Sequence, residues 1–167
     1  NDVTGLKYDP MMPKIIEKYC PSLVLCAFSK KFITGNQLLE TKNLLKESLS
    51  IAKSIGIPNS KIVLDPAIGF FRKEGKGSLF TKINSDWVKR DLLILKNLKS
   101  IKMNKPILVS VSNKSFIGKI LKTQHLADRL AGTLVAEVVS VLNGADIIRT
   151  HNVGKTKEVI TITQKLS

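Results

Sequence analysis

Hydrophobic positions along this chain follow an order that repeats four times: residues spaced as on one face of a helix, then a short apolar run, then a polar loop. The apolar runs are continuous rather than alternating, which is typical of strands that are covered on both faces. The pattern therefore predicts buried strands at residues 23–28, 61–65, 106–111 and 145–149.

Helices are predicted around these strands, because the intervening residues are apolar at helical spacing. The predicted helices span residues 13–19, 36–55, 86–98, 126–142 and 155 onward. Asn36 is placed to cap the second helix, and Gly56 is placed to end it. The segment from residue 69 to residue 83 is basic and rich in glycine, which predicts a long loop.

Strands that alternate with helices indicate a parallel sheet, because parallel neighbours need crossover connections, which are almost always right-handed. The predicted fold class is therefore α/β. Two architectures fit this pattern, an open doubly wound sheet and a closed barrel. In both, functional residues lie at the C-terminal ends of the strands, and each predicted strand is followed by polar residues.

Several of these polar residues are candidates for ligand binding. Asp65 can accept two parallel hydrogen bonds from an N–C–N edge, or it can cap the loop that begins at Pro66. Lys114 can bring one compact charge to a ring carbonyl or an anion, or it is one more surface lysine. Arg149 suits a phosphate or a flat ring, and His151 shares its face while the chain stays extended. The alternative for Arg149 is a salt bridge to an acid such as Asp65.

Composition narrows the class of protein. The 167 residues suit one domain, taken as residues 1–167. The net charge of +14 has three explanations, which are a solvated lysine-rich surface, an anionic small ligand or nucleic acid. Because the lysines are spread over almost every segment and aromatic residues make up only 5%, nucleic acid is the least favoured of the three.

Targeting and redox features point to a cytoplasmic protein. No apolar run approaches the roughly 20 residues that span a bilayer, so no membrane association is expected. Cys20 and Cys26 form no CxxC motif and are consistent with a reducing compartment. No zinc spacing or Walker loop is present, so no metal ligand is expected in this chain. The opening NDVTG lacks an initiator Met, from which we expect a fragment or a trimmed chain.

The strand-end motifs resemble those of dihydropteroate synthases, which belong to the pterin-binding barrel family. The matching segments, in the family's order and at similar spacing, are NDVTG at 1–5, LDPAIGF at 64–70, VSNKSFIG at 111–118 and IIRTHNV at 147–153. The resemblance implies a (β/α)8 TIM barrel, of which this chain supplies about strands 5 to 8 with their helices. The N-terminal half of that barrel would have to come from the same polypeptide or from a partner.

The resemblance also implies a reaction and a set of roles. Asn1, Asp65, Lys114 and Arg149 would bind a pterin ring, Arg149 and His151 would bind diphosphate, and Lys114 and Arg149 would be the catalytic residues. The transferase reaction would displace diphosphate from (7,8-dihydropterin-6-yl)methyl diphosphate with 4-aminobenzoate, giving 7,8-dihydropteroate in folate biosynthesis. Mg²⁺ would assist the leaving group, with its ligand in the N-terminal half.

The second-substrate residues implied by the resemblance are Phe70, Ser112 and Asn113. The family commonly has Arg where this chain has Asn113, so a positive charge is lost beside the second substrate. This departure keeps an alternative open, namely a pterin-binding methyltransferase or a diverged pterin-binding homologue with a different acceptor. The family is often dimeric, which adds a homodimer to the expectations.

Overall fold

The computed structural model describes residues 1–74 and 77–167. The described helices are α1 (Met12–Tyr19), α2 (Gln37–Ser54), α3 (Trp87–Lys96), α4 (Leu98–Ile101), α5 (Ser115–Leu121), α6 (Leu130–Leu142) and α7 (Val153–Leu166). The described strands are β1 (Leu23–Cys26), β2 (Ile62–Asp65), β3 (Phe71–Arg72), β4 (Thr81–Lys82), β5 (Leu108–Val109) and β6 (Ile147–Ile148). Short 3-10 turns lie at Asn59–Lys61 and Ala127–Arg129.

Four of the strands form one parallel layer. β1 pairs with β2 and β5 pairs with β6, in both cases in parallel. A bridge between Leu64 and Ile107 joins the two pairs, and a bridge between Asp2 and Leu25 adds the N-terminal segment. The order across the layer is therefore the Asp2 segment, β1, β2, β5 and β6. This parallel order, with helices in each connection, confirms the α/β prediction.

Two of the predicted strands are shorter than expected. The runs at 106–111 and 145–149 contribute only two paired residues each, in β5 and β6. Among the described residues, β6 has a neighbour on its β5 side alone, and the side chain of Ile147 is 40% exposed. As an edge strand among the described residues, β6 pairs through one side of its backbone only.

The predicted loop at 69–83 contains a parallel pair that the sequence pattern did not indicate. In β3 and β4, Phe71 pairs with Thr81, and both side chains are buried. A further bridge joins Ile33 to Ile83. Phe71 is drawn inward because its ring stacks on the guanidinium of Arg90, at 3.7 Å from the Arg90 Cζ atom to the ring centroid. Gly75 and Lys76 of the predicted loop lie outside the described residues.

Helix boundaries follow the capping signals. The Asn36 side chain accepts hydrogen bonds from the backbone N–H groups of Leu38 and Leu39, and Gly56 follows α2 with a φ of +74°. Both predictions are confirmed. Helix α5 was not predicted, because a helix of seven residues has too few turns for a clear periodic pattern. Burial of Phe116 and Ile117 stabilises it instead.

Apolar side chains fill the space between the parallel layer and its helices, with Leu25, Leu64, Ile107 and Val109 fully buried. The surface also carries large exposed hydrophobic residues, several of them on α6 and α7. No helix in the described part of the chain is long and apolar enough to cross a membrane.

Candidate functional site

A cavity of about 180 Å³ lies at the C-terminal ends of the parallel strands. It brings together the four residues that the resemblance assigned to a pterin ring, which are Asn1, Asp65, Lys114 and Arg149. These residues come from the N-terminal segment, from the end of β2 and from positions that follow β5 and β6. Parallel strands put their carboxyl ends at one edge of a sheet, which is why residues so far apart in sequence meet here.

Asp65 is the last residue of β2 and is 8% exposed. Its Oδ1 atom accepts a hydrogen bond of 2.7 Å from the backbone N–H of Ala67. The loop-capping interpretation is therefore confirmed, and the same carboxylate also lines the cavity. Burial raises the pKa of Asp65, while the Ala67 N–H and the charge of Lys114 act in the opposite direction.

Lys114 precedes α5 and is held against the loop that follows β2. Its Nζ atom lies 4.5 Å from the centroid of the Phe70 ring. Its aliphatic stem passes over Gly69, where a Cβ atom would lie 2.9 Å from Lys114 Cδ. Burial lowers the pKa of the Lys114 ammonium group, and the charge of Asp65 opposes that shift. Lys114 is therefore a partly buried group of the cavity, in contrast to an ordinary surface lysine.

Arg149 lies directly after β6 and lines the cavity. Its Nη1 atom donates to the Ser110 hydroxyl at 3.4 Å. Within residues 1–74 and 77–167, no ion pair of Arg149 is found, so none of the acids described there, Asp65 included, is its salt-bridge partner. The guanidinium has one hydrogen bond to a neutral partner, and its remaining N–H groups can donate to an anion.

His151 and the residues assigned to the second substrate differ in whether they line this cavity. Phe70 lines it, whereas Ser112, Asn113 and His151 are not among its lining residues. The ring Nδ1 of His151 is 2.9 Å from the Ser112 hydroxyl oxygen, and that oxygen also accepts from the His151 backbone N–H at 3.2 Å. Asn113 has a φ of +59°, in the left-handed region.

Some residues of the site were not singled out from the sequence. Cys26 and Ser110 both line the cavity. Burial and the nearby carboxylate of Asp65 raise the pKa of the Cys26 thiol, which keeps it protonated. Ser110 could have been found, because it is a polar residue two positions before Ser112 within an apolar run. Arg90 and Asp91, which are hydrogen-bonded to the loop after β2, carry no motif that marks them.

Comparison with known proteins identifies relatives. A sequence profile of the family described as "Pterin binding enzyme" matches residues 1–151. A dihydropteroate synthase from Clostridium beijerinckii is 31% identical over 167 residues, covering 98% of this chain and 56% of that protein. This chain therefore spans a little over half the length of that relative.

Solved structures agree with this result. The dihydropteroate synthase from Clostridium difficile, determined in the presence of pteroic acid, matches with a TM-score of 0.84 and 30% identity. The enzyme from Coxiella burnetii, in complex with pteroic acid, matches with a TM-score of 0.80 and 32% identity. Each match covers 99% of this chain and 58% of the solved chain.

The profile match extends over the N-terminal segment, the loop after β2 and the residues after β5, and it ends just beyond β6. It thus contains every strand end that contributes to the cavity. On this sequence match and on the agreement of the fold, the chain belongs to the pterin binding enzyme family.

Proposed function

We propose that this chain forms part of a dihydropteroate synthase, a transferase of folate biosynthesis. The observation that carries the proposal is the convergence of Asp65, Lys114 and Arg149 from three strand ends on one cavity. A carboxylate, an ammonium group and a guanidinium around a small cavity suit a flat heterocycle with an N–C–N edge and an attached anion. Relatives that were solved with pteroic acid support the same assignment.

The carboxylate of Asp65 is the proposed partner of the 2-amino edge of the pterin. Its hydrogen bond from Ala67 uses one acceptor site of Oδ1. An ionised carboxylate offers about four such sites, so it can accept from the ligand at the same time. Asn1, from the N-terminal segment, and Lys114, from the residues after β5, are the other proposed contacts of the ring.

The proposed reaction needs stabilisation of a leaving anion. The amine nitrogen of 4-aminobenzoate forms a bond to the methylene carbon of the pterin substrate, the bond from that carbon to the diphosphate oxygen breaks, and the amine loses a proton. Lys114 and Arg149 carry positive charge near the departing diphosphate, and fixed charges of this kind stabilise a developing anion. His151 completes the proposed diphosphate site from the segment after β6.

Mg²⁺ remains a proposed cofactor for diphosphate departure. The described residues of this chain contain no group of three or more His, Cys, Asp or Glu side chains that could hold a metal ion. We propose, as the family resemblance implies, that the ligand of Mg²⁺ lies in another segment, and no step above depends on the ion.

The second substrate is the less constrained part of the proposal. Phe70, Ser112 and Asn113 are its proposed contacts, and an Asn at position 113 offers no charge to a carboxylate. That observation favours a second candidate, a pterin-binding transferase with a different acceptor. Measuring the consumption of 4-aminobenzoate distinguishes the two candidate functions, because only the synthase consumes it.

We also propose that these residues form one domain, 1–167, that supplies strands 5 to 8 of a (β/α)8 barrel, and that a further segment supplies the rest. The uncovered edge at β6, with Ile147 40% exposed, supports this completion. Exposed Val135 and Val139 on α6 support a homodimer. The two free cysteines, Cys20 and Cys26, support a cytoplasmic location.

Diphosphate release by the complete protein, with the pterin diphosphate and 4-aminobenzoate as substrates, tests the proposal. We expect turnover in the wild type and a loss of at least tenfold in kcat/KM for Lys114→Ala. Lys46→Ala removes an exposed lysine on α2 and serves as the matched control, with unchanged kinetics expected. Binding of pteroic acid without turnover would reject the synthase and leave the different-acceptor candidate.

A further inference from the structure

Two charged side chains that contact no substrate in the proposed reaction are buried against the loop that follows β2. Arg90 and Asp91 lie next to each other on α3 and are 1% and 0% exposed. Charged side chains are almost never buried to this degree unless they are paired and hydrogen-bonded, because removing them from water is costly. The hydrogen-bond partners of Arg90 and Asp91 show which part of the fold the pair holds in place.

The partners include three backbone groups of the loop that follows β2, and Arg72 Nη1 also lies 4.0 Å from Asp91 Oδ2. Asp91 Oδ1 accepts from Arg90 Nη1 at 3.0 Å, and Asp91 Oδ2 accepts from the backbone N–H of Gly69 at 3.0 Å. Arg90 donates to the backbone oxygens of Pro66, at 2.8 Å, and Ala67, at 3.3 Å. The pair thus holds three of the four residues between positions 66 and 69.

Two more contacts fix the guanidinium of Arg90. Its Nη2 atom donates to the hydroxyl of Thr41 on α2 at 3.0 Å. Its Cζ atom lies 3.7 Å from the centroid of the Phe71 ring. Arg90 therefore ties the loop both to a neighbouring helix and to β3, and its planar fork suits several directed hydrogen bonds at once.

The backbone of this loop needs such support. Ala67 has a φ of +58° and Gly69 has a φ of +83°. A residue with a Cβ atom in the left-handed region costs about 1–2 kcal/mol relative to the right-handed one. Ala67 retains this conformation while its carbonyl oxygen is held by Arg90 and its N–H by Asp65.

The same loop orients the two groups that are proposed to bind the pterin. Asp65 is held through the Ala67 N–H. Lys114 passes over Gly69, whose N–H is held by Asp91. A shift of the loop would therefore move the carboxylate and the ammonium group together, whereas Ser112, a proposed contact of the second substrate, is hydrogen-bonded to His151 in the segment after β6.

We propose that Arg90 and Asp91 are positioning residues that set the pterin side of the site by holding residues 66–69 in place. This inference rests on the proposed function. It assigns pterin affinity in part to a buried ion pair that acts through the loop after β2.

Kinetics of the complete protein carrying Asp91→Asn test this inference, because Asn keeps an acceptor for the Gly69 N–H but removes the anion beside Arg90. We expect KM for the pterin diphosphate to rise at least tenfold, with KM for 4-aminobenzoate changed less than twofold. Lys102→Ala, which breaks the exposed ion pair with Asp146 at 2.6 Å, is the matched control and should change neither KM. An unchanged pterin KM, or an equal rise in both KM values, would overturn the inference.

A milder variant covers the case in which Asp91→Asn fails to fold. Thr41→Val removes one hydrogen bond to Arg90 at nearly constant volume, and we expect a smaller rise, about threefold, in the pterin KM alone. Unchanged kinetics in a folded Thr41→Val protein would count against the positioning role.

Amide hydrogen exchange separates this inference from the proposed function. Whether or not the wild type turns over, the Gly69 amide should exchange faster in Asp91→Asn than in the wild type, because its acceptor loses charge and position. Unchanged protection at Gly69 would overturn the inference. Absent turnover together with lost protection would instead reject the proposed function and retain the role of the pair in holding the loop.

Discussion

The Lys114 ammonium nitrogen lies 4.5 Å from the centroid of the Phe70 ring, so the two residues form a cation–π pair at the rim of the cavity. Lys114 follows β5 and Phe70 follows β2, and the two strand ends are joined through this pair. The contact requires the Lys114 stem to pass over Gly69, a position without a side chain.

Gly69→Ala should therefore impair the site beyond its effect on the backbone. The new Cβ atom would lie 2.9 Å from Lys114 Cδ, and the residue has a φ of +83°. We expect at least a tenfold loss of affinity for pteroic acid, measured by calorimetry, together with a loss of about 1–2 kcal/mol in unfolding free energy.

Gly35→Ala is the control for Gly69→Ala. Its φ is +82°, yet no atom lies within 4 Å of the added Cβ. Both variants should lose similar stability, and only Gly69→Ala should lose affinity for pteroic acid. Equal affinities in the two variants would show that pteroic acid binding does not depend on the packing of the Lys114 stem over Gly69.

Asp65→Asn should weaken pterin binding while leaving the loop cap in place. Asn retains an oxygen that can accept from the Ala67 N–H, but it loses the charge of the carboxylate. A charge-assisted hydrogen bond contributes about 2 kcal/mol, which is roughly a 30-fold change in Kd. Calorimetry with pteroic acid measures this change in Kd. A Kd within twofold of the wild-type value would show that Asp65 only caps the loop.

Alkaline pH should weaken pterin binding earlier than it would for an exposed lysine. Burial lowers the pKa of Lys114 below its usual 10.5, so the ammonium group of the folded protein is lost at a lower pH. In this window the unfolded chain binds more protons, so the Lys114 contribution to the unfolding free energy rises with pH while ligand affinity falls.

Lys114→Arg checks this pH dependence, because a guanidinium keeps its charge throughout the range. As the pH is raised, we expect the affinity of the wild type for pteroic acid to begin to fall before pH 10.5 is reached. The part of that fall that is due to Lys114 should be absent from the variant. Parallel pH profiles for the two proteins would exclude Lys114 as the titrating group.

The two thiols should differ in their reactivity. Cys20 is partly exposed, whereas Cys26 is 2% exposed and its pKa is raised by burial and by Asp65. Since the thiolate is the reactive form, iodoacetamide should label Cys20 first, and mass spectrometry of the peptides measures the order. Both should react alike in urea. Faster labelling of Cys26 in the folded protein would contradict the buried position.

Local signals in the sequence anticipated most of the secondary structure. Asn36 and Gly56 lie at the two ends of α2, as their capping signals indicated. The four apolar runs contain the strands of the parallel layer. Such signals are readable because they depend on neighbours within one helical turn or one strand. Helix α5 and the β3–β4 pair escaped prediction, since both are short and are stabilised by residues distant in sequence, as Phe71 is by Arg90.

The sequence by itself determined which residues follow the buried strands, and so it pointed to Asp65, Lys114 and Arg149 as candidates. It left open whether Asp65 was a loop cap or a cavity residue. Only the tertiary structure decided that Asp65 is both, and that Arg149 is without an acidic partner in the described residues. The physical reason is that burial and pairing of a charge depend on residues brought together from different strand ends, and no local pattern in the chain encodes those distances.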